Sequence, residues 1–194
     1  MTLSRLPLIL AASVGLGALM SGCVAITENH YSRDDKAVAR IGDFGEATLI
    51  NASGQTIGRA VLTQGTTGLL IRVEVDGLTP GWHGIHIHAT GECQAPFTSA
   101  GGHINHSDHT RPHGLLNPGG PDDGDLPNIY ADQQGRVRAE LFTTRARIAP
   151  EGPGQWLWDE DGSALVIHAM PDDHRSQPIG GAGDRVACGI MAAG

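Results

Sequence analysis

Seven of the ten histidines in this 194-residue chain fall between positions 83 and 113. Three of them sit in His83-Gly84-Ile85-His86-Ile87-His88. In an extended strand successive side chains point to opposite faces, so His86 and His88 share a face about 6.5–7 Å apart, close enough for two imidazoles to meet one metal ion. Taken alone, the pair fits a solvated strand face equally well. His83 shares the other face with Ile85 and Ile87, which marks it as a structural, hydrogen-bonding histidine rather than a ligand. His103 follows in Ser99-Ala100-Gly101-Gly102-His103, where adjacent glycines permit the close backbone approach a packed site needs. His168 ends the apolar run Leu165-Val166-Ile167. An imidazole buried there must find a hydrogen-bond partner or a metal.

These side chains need rigid elements to carry them, and the chain reads as short strands separated by turns. Residues 46–50, 56–62 and 69–75 are rich in β-branched and aliphatic residues and are punctuated by Gly54, Gly65 and Gly77, the pattern of half-buried strands. Residues 83–88, 136–142, 164–168 and 185–190 continue it. Two segments interrupt it: a Gly-, Pro-, Asp- and His-rich stretch over 90–134 and a second loop over 169–184. Loops of that length in a compact domain carry function or lack order. With no sustained helical period and no internal repeat, the expectation is an all-β antiparallel sandwich or flattened barrel.

Five strings then point to a family. Gly84-Ile85-His86-Ile87-His88, Ser99-Ala100-Gly101-Gly102-His103, Gly124-Asp125-Leu126-Pro127-Asn128, Leu165-Val166-Ile167-His168 and Ala182-Gly183-Asp184-Arg185-Val186-Ala187-Cys188-Gly189 resemble, in order, the signature segments of copper/zinc superoxide dismutases. The resemblance covers roughly residues 45 to 192 and implies a Greek-key β-sandwich, or flattened eight-stranded barrel, with two long functional loops. It implies that copper is held by His86, His88, His103 and His168, an all-imidazole set suited to cycling between Cu(II) and Cu(I). His103 would bridge copper and zinc, and Asp172 would orient one histidine on each metal. Cys93 and Cys188 match the family's intrasubunit disulfide, which closes a loop of about a hundred residues and stabilises by roughly 4–5 kcal/mol.

The pattern breaks at zinc. The family uses the bridging histidine, two more histidines and an aspartate. His113 and Asp125 fit, but Asp122 stands where the remaining histidine is expected. A carboxylate ligates zinc, so the expected set is His103, His113, Asp122 and Asp125. His106 and His109 are the alternatives for the missing ligand, and both also suit a surface loop.

The implied activity is dismutation of superoxide to oxygen and hydrogen peroxide, with His103 delivering a proton and Arg185 guiding the anion. A copper-storage module on the same fold is the alternative. It has no use for an anion guide or an orienting carboxylate, so Arg185 and Asp172 speak against it. A zinc hydrolase fits poorly, because it wants an open water position and a general base.

The remaining signals concern address and partners. One charge at Arg5, an apolar run over 6–20 and Met20-Ser21-Gly22-Cys23 resemble the signal peptide and lipobox of bacterial lipoproteins, with Cys23 as the lipidated residue. The expected organisation is a signal peptide over 1–22, an anchor and polar tether over 23–43, and the catalytic domain over 44–194. Export to the periplasm, anchored to the cell envelope, follows as an expectation. The formal net charge of −8 argues against a nucleic-acid partner. It also means that an anionic substrate must be drawn by a local field. Oligomeric state is not legible.

Overall fold

The computed structural model describes residues 44–105 and 111–194. The expected signal peptide, the tether, the lipidation site Cys23 and the loop histidines His106 and His109 lie outside the described residues. No helix among the described residues is long and apolar enough to cross a membrane.

Seven strands make the continuous path of one antiparallel sheet: β1 (Phe44–Asn51), β2 (Thr56–Gln64), β3 (Leu69–Val75), β5 (Ile85–His88), β7 (Val137–Thr143), β10 (Ala164–His168) and β11 (Arg185–Ile190). Their spatial order is β5-β10-β11-β1-β2-β3-β7, and an eighth strand, β12 (Ala192–Ala193), pairs with β1. β3 and β7 are neighbours although β5 intervenes in the chain at the far edge, and β10 returns to that edge. Crossovers of this kind give the Greek-key character that the resemblance implies. Two small sheets complete the fold. β4 (Gly81–His83) pairs with β6 (Ile129–Ala131), and β8 (Ala146–Arg147) with β9 (Gln155–Trp156). Among the described residues the fold is all-β, with a single 3-10 turn at Thr98–Ala100.

Alternation drives the sheet. β1 runs exposed-buried-exposed-buried, and its inward residues Ala47 and Leu49 are fully buried. They meet Leu62, Ile71, Val73 and Leu165 in one core, and each large aliphatic side chain taken from water contributes about 1.5–3 kcal/mol. Outward positions on β2, β3 and β7 carry cross-strand ion pairs, Arg59–Glu74 at 3.3 Å and Arg72–Glu140 at 2.9 Å. Exposed as they are, these pairs add little stability and serve to keep that face wet.

Sequence periodicity anticipates the seven long strands and misses β4, β6, β8, β9 and β12. Each of those has only two or three residues, too few for a period to register. The expected strand over 83–88 divides at Gly84, where β4 pairs with one partner and β5 with another.

Candidate metal centre

β5 brings His86 and His88 to the edge of the main sheet. On one side it pairs with β10, with Val166 opposite His86 and Ala164 opposite His88. Its other side is strapped by the long loop: Ile104 N–H donates to Ile87 O at 3.0 Å, Ile87 N–H to Gly124 O at 2.9 Å and Ala89 N–H to Gly102 O at 2.9 Å. Covering an exposed strand edge in this way satisfies its backbone groups. It also sets His103 beside His88 and Asp125 beside His86, each as an isolated backbone bridge. The two strand histidines are therefore fully buried. A solvated strand face is excluded, because the loop lies over it.

Every imidazole in the cluster has one nitrogen fixed by the protein. His88 Nδ1 lies 2.9 Å from Gly101 O, and His168 Nδ1 lies 3.1 Å from Gly183 O. His86 Nε2 lies 3.0 Å from Asp172 Oδ2, and His103 Nδ1 lies 2.9 Å from Asp122 Oδ2. The opposite nitrogens, His86 Nδ1, His88 Nε2, His103 Nε2 and His168 Nε2, are buried without a hydrogen-bond partner. One ligand atom from each of these residues falls within 4.8 Å of the others. Buried polar atoms left unpaired are costly, and four converging on one point fit a metal ion.

A second group shares His103. His103, His113, Asp122 and Asp125 also offer ligand atoms within 4.8 Å of one another. Asp125 Oδ2 accepts the amides of Gly114 at 2.7 Å and Asp122 at 3.0 Å, while Asp125 Oδ1 contacts His113 Nδ1 and lies 3.5 Å from His103 Nδ1. Between the groups stands Asp172, whose Oδ2 faces His86 and whose Oδ1 accepts from His113 Nε2 at 3.0 Å. Gly180 makes room for it. At φ +61° a β-carbon there would fall on Asp172 Oδ1, so only glycine tolerates this approach.

His83, as expected, makes structural bonds, with Nδ1 2.7 Å from His168 O and Nε2 2.8 Å from Thr79 O. The close backbone approach expected at the paired glycines is not found at either; what favours glycine at 101 is its backbone angle. Gly101 adopts φ +75°, whereas nothing lies near a β-carbon built at Gly102. The Gly101 carbonyl also accepts from Arg185 Nη2 at 2.7 Å, and Phe97 O accepts from Nη1 at 2.6 Å. Cys93 and Cys188 are disulfide-bonded, 95 residues apart.

Two positioning amides escape sequence reasoning. Gln177 brackets the His113 backbone, accepting its N–H at 3.0 Å and donating to its carbonyl at 2.8 Å. Asn128 does the same for Asp172, at 2.9 and 2.8 Å. Asn128 lies within a quoted motif, but nothing in that motif says what its amide binds. The only available signal was an amide in each long loop.

Burial governs the titration of three of the converging histidines in the metal-free protein, holding His86 down to about 3 and His168 to about 4. His88 is also lowered, by burial first and then by His103. Burial lowers His113 too, but bonds to Asp125 and Asp172 outweigh it and carry the ring up to about 10. Asp172 lies well below the usual carboxylate range, because the bonds to His113 and His86 outweigh its own burial. The signs oppose each other across pH 6.5, the ordinary histidine value. Below it the unfolded chain binds protons that folded His86 and His168 refuse, so acidification destabilises. Above it the stability contributed by His113 is lost as pH rises toward about 10. The urea midpoint of metal-free protein is therefore expected to peak close to pH 6.5, and bound metal, by holding its ligands deprotonated, to extend stability to lower pH. A midpoint flat between about pH 5 and 8 would contradict the assignment of these groups.

Comparison with known proteins agrees with this geometry. The model of the copper/zinc superoxide dismutase family matches residues 55–191. The chain belongs to that family. It is 47% identical over 146 residues to the copper-zinc superoxide dismutase of Caulobacter vibrioides, covering 75% of this chain and 83% of that protein. To copper-zinc superoxide dismutase 2 of Aquifex aeolicus it is 41% identical over 178 residues, covering 91% and 98%. Among solved structures it resembles a double mutant of a superoxide dismutase-like protein from Bacillus subtilis, in which a tyrosine and a proline are replaced by histidine. The TM-score is 0.71 at 35% identity, covering 78% of this chain and 99% of that one.

Proposed function

We propose that the chain dismutates superoxide, with copper on His86, His88, His103 and His168 and zinc on His103, His113, Asp122 and Asp125. The observation that carries this is the convergence of four buried, unpartnered imidazole nitrogens, each on a ring whose other nitrogen is fixed. Asp122 supports its own assignment by its burial and by its contact with His103 Nδ1, which leaves Nε2 facing the other group. Copper, when bound, supplies the one-electron redox couple.

The chain's own residues supply the rest. Asp172 holds His86 and His113 in register through their Nε2 atoms, so each turns its Nδ1 away from Asp172 and toward the ligand groups. His103 Nε2 can hold a proton and release it to the reduced product. Two superoxide ions and two protons then yield oxygen and hydrogen peroxide. Arg185 keeps its charge although burial lowers its pKa, and its two carbonyl bonds fix the guanidinium beside a cleft of about 690 Å³ lined by Asn51, Pro96, Thr98 and Asp184. In a protein of net charge −8, a fixed local cation is what draws an anion inward. The address at residues 1–43 and the disulfide together support export and lipid anchoring through Cys23 at a bacterial envelope.

The test is dismutation by the purified protein loaded with copper alone and with copper plus zinc. Copper-dependent turnover is expected, with Arg185→Ala lowering kcat/KM by about tenfold or more at low salt and less at high salt. Tight copper binding without turnover would favour the storage role.

A further inference from the structure

Arg145 lies between β7 and β8, in a segment that supplies none of the converging ligands. Its Nη2 donates to the carbonyl oxygen of Asp125 at 3.0 Å. Its Nε is buried without a hydrogen-bond partner. Among the described residues, no carboxylate lies within ion-pairing distance of its guanidinium, whereas the surface arginines 59, 72, 136 and 138 each have one. A half-buried, permanently charged group with no carboxylate of its own is expensive unless nearby negative charge offsets it.

Asp125 is the residue that it reaches. Its backbone bridges to His86, and its carboxylate gathers the amides of Gly114 and Asp122 and faces both His103 and His113. Asp122 adds a second buried carboxylate to the same cluster. Two carboxylates held in one desolvated pocket repel each other.

We propose that Arg145 is a positioning residue for the His103–His113–Asp122–Asp125 cluster, fastening Asp125 through its carbonyl and supplying the counter-charge that the second carboxylate, Asp122, requires. The proposal rests on the zinc assignment above. It explains why this chain accommodates a carboxylate at 122: the added negative charge is met from outside the loop by a guanidinium, not by another ligand. A bond to the main chain leaves Asp125 Oδ1 free to face the metal position.

The test measures metal binding, not turnover. Copper-loaded full-length protein is titrated with zinc against a chromogenic chelator, and in parallel with cobalt(II), whose absorption bands report tetrahedral coordination. Arg145→Gln is expected to weaken zinc binding about 10- to 100-fold, the range for loss of an outer-shell partner. Arg145→Lys, which keeps the charge, is expected to stay within about threefold of the parent. The deciding comparison is a double-mutant cycle with Asp122→Asn, in which Arg145→Gln should cost clearly less than it does in the parent. Equal losses in both backgrounds, or a Lys variant as weak as the Gln variant, would overturn the counter-charge role. Parent-like affinity in Arg145→Gln would overturn the proposal entirely. A parent that shows no tetrahedral cobalt bands would instead overturn the zinc assignment, and the proposal with it.

Discussion

His88→Ala is expected to abolish copper-dependent dismutation and to weaken copper binding by more than about two orders of magnitude, since removing a ligand costs more than removing an outer-shell partner. His88 is fully buried at the end of β5. Gly101 O fixes its Nδ1, so Nε2 is the atom aimed at the cluster. Alanine deletes that atom and leaves a cavity that the strapped loop cannot close. The sheet should survive, because β5 keeps its main-chain pairing with β10. Copper titration followed by visible absorption, with far-UV circular dichroism as the control on folding, checks this. Copper affinity within about threefold of the parent would mean that four-imidazole ligation is wrong.

The second large effect is on stability. Replacing both Cys93 and Cys188 by alanine releases a loop spanning 95 residues and is expected to cost roughly 4–5 kcal/mol. The urea midpoint reads that loss directly. A functional loss should accompany it, since the carbonyls of Phe97 and Gly101 that hold Arg185 lie in the segment tied down at Cys93. Without the tie, the guanidinium loses its fixed direction, so kcat/KM should fall at saturating copper even under conditions where the protein remains folded. If the double variant keeps the parent's midpoint, the disulfide contributes nothing to the folded state's advantage. If it unfolds easily while its folded fraction turns over as fast as the parent, Arg185 is held by the sheet alone.

What the amino-acid sequence determined by itself was local and periodic. Alternation over 46–50, 56–62, 69–75 and 136–142 located the long strands, because burying one face of a sheet demands a period of two. Spacing placed His86 and His88 on one face, and the run ending at His168 demanded a partner for a buried ring. Ordered motifs pointed to the family, the disulfide and the substitution at Asp122.

Only the tertiary structure decided what depends on segments distant in sequence. Whether His86 and His88 face water or a packed interior turned on a loop laid along the edge of β5, and strand parity cannot see that. The resemblance implied that Asp172 orients one histidine in each group, and the fold shows which: His86 and His113, 86 and 59 residues away. Gln177 and Asn128 grip backbone 64 and 44 residues away, and Arg145 reaches Asp125 from a different sheet edge. The bonds of Gln177, Asn128 and Arg145 go to backbone groups that any residue type could present. No local composition marks such a partner, so it becomes visible only when the chain is folded.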